Sequence, residues 1–125
     1  MKKLIPFLFG IFLITSMNAQ QDPYFKVMDV DKYEQAVARK NVQLVDVRTA
    51  EEYKEGHIKG AKNIDFFADD FLKQFRSFDK EEPLYLYCRS GNRSAKASKQ
   101  LSDAGFKNII DLKGGYKAWK AAGKK

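Results

Sequence analysis

Short apolar runs alternate with helix-patterned segments from residue 26 to the C-terminus, and this alternation constrains the fold more than any other feature of the chain. Lys26-Val27-Met28 reads as a short strand, and Asp31-Lys32-Tyr33-Glu34 as a capping box that opens a helix through about Arg39. Val42-Gln43-Leu44-Val45-Asp46-Val47 is β-branched and mostly apolar, the pattern of a strand buried on both faces. Thr49-Ala50-Glu51-Glu52 is a second capping box, starting a short helix that Gly56 ends, and Gly60 to Ile64 holds a short strand. Between Phe66 and Phe78, residues Phe67, Phe71, Leu72 and Phe75 recur at helical spacing and predict a core-facing stripe. Pro83 then admits the strand Leu84-Tyr85-Leu86-Tyr87. A helix follows from about Asn92 to Ala104, with Gly105 as its left-handed terminator. Phe106 to Leu112 holds another strand, and Gly114-Gly115 turns into a final helix carrying Trp119. Strands and helices in this order build an α/β fold, a parallel sheet with helices on both faces.

The N-terminus is organised differently. Met1-Lys2-Lys3 is followed by an apolar run from Leu4 to Ile14 and then by Thr15-Ser16-Met17-Asn18-Ala19-Gln20. A basic head, a short apolar segment and a small residue at its end describe a secretory signal peptide, residues 1–19, with a single domain over 20–125. The apolar run is shorter than the roughly 20 residues that span a bilayer. The expected location is therefore periplasmic or secreted, with membrane contact only through the signal peptide before its cleavage. The remaining length supports one core and not two.

Charge is unevenly placed. From Gln21 to Pro83 there are 11 basic and 14 acidic residues, and from Leu84 to the end 10 basic and 2 acidic. No basic stripe interleaved with aromatics accompanies this surplus, so nucleic acid is not an expected partner. A positive field around the second half favours a small anionic substrate instead.

That half contains the only cysteine, Cys88. A single cysteine in an exported protein makes no internal disulfide and is a candidate reactive thiol. It closes the Leu84–Tyr87 strand and precedes the helix that begins near Asn92, which is where open parallel sheets bind ligands. The intervening sequence is Cys88-Arg89-Ser90-Gly91-Asn92-Arg93-Ser94. Gly91 lets the backbone curl so that successive N–H groups form an anion-binding nest, and the following helix adds its positive end. Arg89 and Arg93 lie in the same loop, and Ser90 and Ser94 offer hydroxyl donors. Each of these features favours a thiolate, the nucleophilic form.

The loop from Cys88 to Ser94 resembles the active-site loop of rhodanese-like sulfurtransferases. Asp46-Val47-Arg48, Glu52-Tyr53, Gly56-His57-Ile58-Lys59-Gly60-Ala61 and Asn63-Ile64 resemble that family's first signature block, and Gly114-Gly115-Tyr116-Lys117-Ala118-Trp119 its closing block. The resemblance implies a five-stranded parallel sheet and a cysteine, here Cys88, that takes a sulfane sulfur as a persulfide and hands it to an acceptor. It further implies that the backbone of Arg89, Ser90, Gly91, Asn92, Arg93 and Ser94 holds the sulfur, and that Arg89 and Arg93 bind an anionic donor. The implied partners are a small anionic donor (thiosulfate, a persulfide or a polysulfide) and a thiol or cyanide acceptor, protein thiols included. No cofactor is implied.

Two other readings differ at specific points. A binding or sulfur-sensing module would keep the fold and offer Cys88 without turnover, and measured turnover with a simple donor separates the two. Cysteine-dependent phosphatases and arsenate reductases related to this family use a longer loop between cysteine and arginine than the four residues separating Cys88 from Arg93. His57, the only histidine, falls in the first signature block and is expected to have a structural role in a turn. Asp46 and Arg48 end a strand at the ligand-binding edge and are expected to position the loop through an ion pair or a turn contact. One histidine and one cysteine make no metal site.

Overall fold

A computed structural model describes residues 25–125; the expected signal segment, residues 1–19, lies outside them. The strands are β1 (Phe25–Met28), β2 (Gln43–Asp46), β3 (Lys62–Asn63), β4 (Leu84–Tyr87) and β5 (Ile109–Leu112). The helices are α1 (Val30–Val37), α2 (Ala50–Glu55), α3 (Asn92–Asp103) and α4 (Gly115–Ala121). All strands pair in parallel, in the order β1-β5-β4-β2-β3. This is the α/β architecture that the alternating pattern predicts.

The central strands are apolar because both of their faces are covered. Every residue of β4 and β5 is buried. On one face, Val45, Leu84, Leu86 and Ile109 pack with Ala97 and Leu101 of α3 and with Phe71, Phe75 and Phe106. On the other, Leu44, Tyr85, Tyr87, Ile110 and Leu112 pack with Tyr33 of α1 and Trp119 of α4. Each fully buried large apolar side chain contributes about 1.5–3 kcal/mol relative to exposure. The sheet therefore holds the carboxyl ends of β2 and β4 rigidly side by side, with Asp46 paired in register with Tyr87.

Two local expectations are corrected. The cap of α1 is Asp29, whose carboxylate accepts from the Lys32 N–H at 3.3 Å. Asp31 already lies inside the first turn and cannot serve as the cap; it meets Lys124 Nζ at 3.1 Å instead. The segment from Phe66 to Phe78 is not a helix with one apolar stripe. It runs as successive tight turns around a 3₁₀ turn, Leu72–Phe75, with Ala68 N–H donating to Asp65 O and Phe71 N–H to Ala68 O. Three residues per turn rotate the side chains away from the α-helical spacing. Phe71 and Phe75 consequently reach the core, while Phe67 and Leu72 are 66% and 43% exposed. The box at Thr49 is as expected. Its hydroxyl accepts from the Glu52 N–H at 3.2 Å, and Glu52 Oε1 accepts from the Thr49 N–H at 3.0 Å.

Candidate active site

Cys88 follows the last residue of β4 and is 1% exposed. Its chain then bends sharply enough that Gly91, three residues on, donates its N–H to Cys88 Sγ at 3.1 Å. The bend requires a left-handed residue: Gly91 has φ 114°. A Cβ there would meet nothing within 4 Å, so glycine is needed for its backbone conformation and not for space. α3 begins at the next residue. No side chain caps it, which leaves its first-turn N–H groups, unmatched within any helix, facing the loop. The fully buried Ser94 hydroxyl is 3.3 Å from Cys88 Sγ and 3.4 Å from the Gly91 carbonyl.

Two other elements hold this loop. The first residues of α4 lie against its carbonyls: Tyr116 N–H donates to Cys88 O at 2.8 Å, and Lys117 N–H to Arg89 O at 3.0 Å. Gly115 makes that approach possible. A Cβ on it would stand 2.5 Å from Arg89 O and 2.6 Å from Cys88 O. From the α2 side, Arg93 Nη1 and Nη2 reach Glu52 Oε1 and Oε2 at 2.7 and 3.0 Å, a bidentate pair. The hydrogen bond with Arg93 holds the Glu52 carboxyl down at about 2. The same pair raises the proton affinity of Arg93.

Asp46 and Arg48 make both contacts that the sequence left open: an ion pair, and a turn contact in which the Arg48 N–H donates to Asp46 Oδ1 at 2.9 Å. Arg48 Nη2 meets Asp46 Oδ2 at 2.7 Å and also donates to Gly56 O at 2.7 Å. Its guanidinium lies 4.4 Å from the centre of the Tyr116 ring, so β2, the end of α2 and α4 are clamped by one side chain. Burial works against the Arg48 charge, but the Asp46 carboxylate outweighs it and raises the proton affinity. His57 stacks on Tyr53 with ring centres 3.7 Å apart, its Nδ1 2.9 Å from Tyr53 O.

The structure thus brings Cys88, Gly91 and Ser94 into direct contact. It places Arg93 on Glu52, and leaves Arg89, Ser90 and Asn92 exposed at the loop surface. Beside the loop is a cleft of about 380 Å³, lined among others by Arg89, Tyr116, Lys117 and Lys120 with Glu52 and Glu55. A larger hollow of about 520 Å³ beside Phe66 and Phe71 has no nucleophile in its lining. Sequence reasoning finds Glu52 as a cap but misses its grip on Arg93. It also passes over Asp111, although a carboxylate between Ile110 and Leu112 in a buried strand is itself a signal.

A buried cysteine between the carboxyl end of a parallel strand and an uncapped helix, on a five-stranded parallel sheet, defines the class of α/β domain to which this chain is similar. The chain belongs to the rhodanese-like domain family, whose model matches residues 29–122. It is 34% identical over 99 residues to the thiosulfate sulfurtransferase GlpE of Shewanella oneidensis, covering 78% of this chain and 95% of that protein. It is 36% identical over 112 residues to the uncharacterized protein YqhL of Bacillus subtilis, covering 89% and 84%. Among solved structures it resembles a rhodanese-like domain protein from Staphylococcus aureus, with a TM-score of 0.67 at 37% identity, covering 75% of this chain and 90% of that one. A rhodanese-related protein from Thermoplasma volcanium gives a TM-score of 0.70 at 26% identity, covering 80% and 95%.

Proposed function

We propose that the protein is an exported sulfurtransferase that carries sulfane sulfur on Cys88. The observation that carries this reading is the placement of the Gly91 N–H and the Ser94 hydroxyl at 3.1 and 3.3 Å from Cys88 Sγ. Donors aimed at a sulfur stabilise its anion, and a persulfide keeps that anion one atom further out. The similarity to proteins named thiosulfate sulfurtransferase supports the same chemistry.

In the proposed reaction the Cys88 thiolate attacks the sulfane sulfur of thiosulfate. The S–S bond of the donor breaks and its electron pair leaves with sulfite, so Cys88 becomes a persulfide. An acceptor thiolate or cyanide then attacks the outer sulfur, breaks the new S–S bond and restores the Cys88 thiolate. The product is a persulfide of the acceptor or thiocyanate. A persulfide or polysulfide donor reacts the same way, with a thiolate or a shorter polysulfide as the leaving group. Arg89, with Lys117 and Lys120 across the cleft, supplies the positive field for such donors. Arg93, held by Glu52, fixes the shape of the loop.

The test is intact mass before and after mixing with thiosulfate. One added sulfur atom on the peptide containing Cys88, stable after the donor is removed and lost on adding cyanide, is the expected result. The absence of any adduct, with turnover of a phosphate ester or arsenate instead, would replace this reading. Export is tested separately: the mature N-terminus should lie close to Gln20, and an intact Met1 terminus in an exported fraction would contradict it.

A further inference from the structure

A buried acid lies behind the nucleophile, and Ser94 connects the two. Asp111 is the third residue of β5, opposite Leu86 of β4. Strand alternation turns Ile109 and Asp111 toward the face that carries Leu86, Cys88 and α3. The Asp111 side chain is 3% exposed, and its carboxyl is close enough to the Ser94 hydroxyl to draw on it. Its Oδ1 has no hydrogen-bond partner, and neither has Ser98 Oγ, one turn further along the buried side of α3. An acid buried without a cation is unfavourable and calls for a reason.

We propose that Asp111 is a positioning residue for Cys88, acting through the one proton of the Ser94 hydroxyl. This rests on Cys88 being the sulfur-carrying nucleophile. A serine hydroxyl has a single proton; Cys88 Sγ and Gly91 O lie 3.3 and 3.4 Å from Ser94 Oγ, and the nearby Asp111 carboxyl competes for the same proton. When Asp111 is neutral, its O–H donates to Ser94 Oγ, and the Ser94 proton points to the sulfur. When Asp111 loses its proton to solvent, the carboxylate takes the Ser94 proton as a hydrogen-bond donor to itself. A second negative charge then stands in the same buried layer as the thiolate. The acid form of Asp111 therefore supports the thiolate and the ionised form opposes it.

The surroundings place this change near neutrality. Burial pushes the Asp111 carboxyl up to about 6, although Ser94 and the Leu112 N–H pull the other way. On the other face of the sheet, the hydroxyl of Tyr33 of α1 donates to Leu86 O at 2.7 Å and holds its proton more tightly because of burial and then the Asp111 charge. On β4 the ionisable groups are Tyr85, Tyr87 and the adjoining Cys88. On α3 they are Arg93, already paired with Glu52, and the exposed Lys96, Lys99 and Asp103, the last two paired with each other at 3.5 Å. Lys26 on β1 and Lys117 and Lys120 on α4 are exposed. Among the described residues, no ion pair reaches Asp111.

The experiment is the rate of iodoacetamide alkylation of Cys88 against pH in wild type, Asp111→Asn, Ser94→Ala and the double variant. Alkylation reads the thiolate without any sulfur transfer, so failure here is distinct from failure to form a persulfide. The wild-type profile should carry an inflection near pH 6, from the Asp111 carboxyl at about 6, that Asp111→Asn lacks. At neutral pH, Asp111→Asn should react roughly three- to tenfold faster, because Asn supplies a neutral donor to Ser94. In the Ser94→Ala background the same change should have a clearly smaller effect, because only the through-space charge of Asp111 remains. An Asp111→Asn profile superimposable on wild type would overturn the proposal, and so would an acceleration that persists undiminished without the Ser94 hydroxyl. Should Asp111→Asn not fold, the Asp111 carboxyl ¹³C shift in wild type decides. A second inflection at the alkylation midpoint of Cys88, weakened in Ser94→Ala, is expected, and a single inflection in wild type would refute the link.

Discussion

Glu52→Gln separates the two tasks of one side chain, because glutamine can still accept from the Thr49 N–H but cannot hold Arg93 as an ion pair. In the structure Glu52 Oε1 accepts from Thr49 N at 3.0 Å and Arg93 Nη1 at 2.7 Å, while Oε2 accepts from Arg93 Nη2 at 3.0 Å. Lowering the carboxyl from 4.5 to about 2 would correspond to roughly 3 kcal/mol if fully realised. The Arg93 and Glu52 side chains are 20% and 26% exposed, and solvent screening reduces the figure to about 1–2 kcal/mol. The sign follows from linkage: a carboxyl whose folded value is depressed contributes stability above its unfolded value near 4.5, and that contribution is lost as pH falls toward about 2. Urea unfolding of wild type and Glu52→Gln across the acid range is the assay. A gap of about 1–2 kcal/mol at neutral pH, closing as pH falls from about 4.5 to 2, is the expected result. Equal stability at neutral pH, or a gap that persists unchanged in acid, would refute the reasoning.

Three other substitutions probe the nucleophile, the loop and the core. Cys88→Ser should abolish sulfur transfer with an unchanged far-ultraviolet circular dichroism spectrum, since the chain has no second thiol; residual activity above about a tenth of wild type would remove Cys88 from the nucleophile role. Gly115→Ala, which puts a Cβ 2.5 Å from Arg89 O at a residue with φ +62°, should cost about 2 kcal/mol or more in chemical unfolding and lower turnover, because the Cys88 and Arg89 carbonyls must move. Phe75→Ala should cost about 3–5 kcal/mol and Phe67→Ala less than about 0.5, measured side by side, since Phe75 is 1% and Phe67 66% exposed.

The sheet was legible because its signal is repeated. Val42–Val47, Leu84–Tyr87 and Phe106–Leu112 are apolar runs between helix-patterned segments, and all three contain central strands. The loop was legible because glycine, cysteine and the following helix are contiguous. The Phe66–Phe78 segment was not, since Phe67, Phe71, Leu72 and Phe75 fit an α-helical stripe and a series of tight turns almost equally well. Packing decides between them: the rings of Phe71 and Phe75 lie 5.1 Å apart, and Phe75 and Phe106 6.1 Å, across elements distant in sequence. Long-range pairing also explains why the two arginines of the loop looked alike. Arg93 meets Glu52, 41 residues away, whereas Arg89 points to solvent, and no local pattern distinguishes them.

That difference separates two electrostatic layers in the proposed reaction. Around the sulfur, the interactions are short and buried or half-buried: the Gly91 N–H, the Ser94 hydroxyl and the fixed carbonyl contacts with α4. Their geometry is set by packing, and salt has little access to them. At the entrance, Arg48 and Arg93 are neutralised by Asp46 and Glu52. Arg89, Lys117 and Lys120 remain as exposed cations facing the cleft. Exposed charges act over about 8–10 Å and weaken as salt rises, so they attract a donor without fixing its orientation. In the proposed reaction the basic surplus after Leu84 thus bears on capture of an anionic donor, and the hydrogen bonds around the sulfur on the step that follows. An anionic acceptor meets the same entrance, which suits a site where donor and acceptor bind in turn and each leaves before the other arrives.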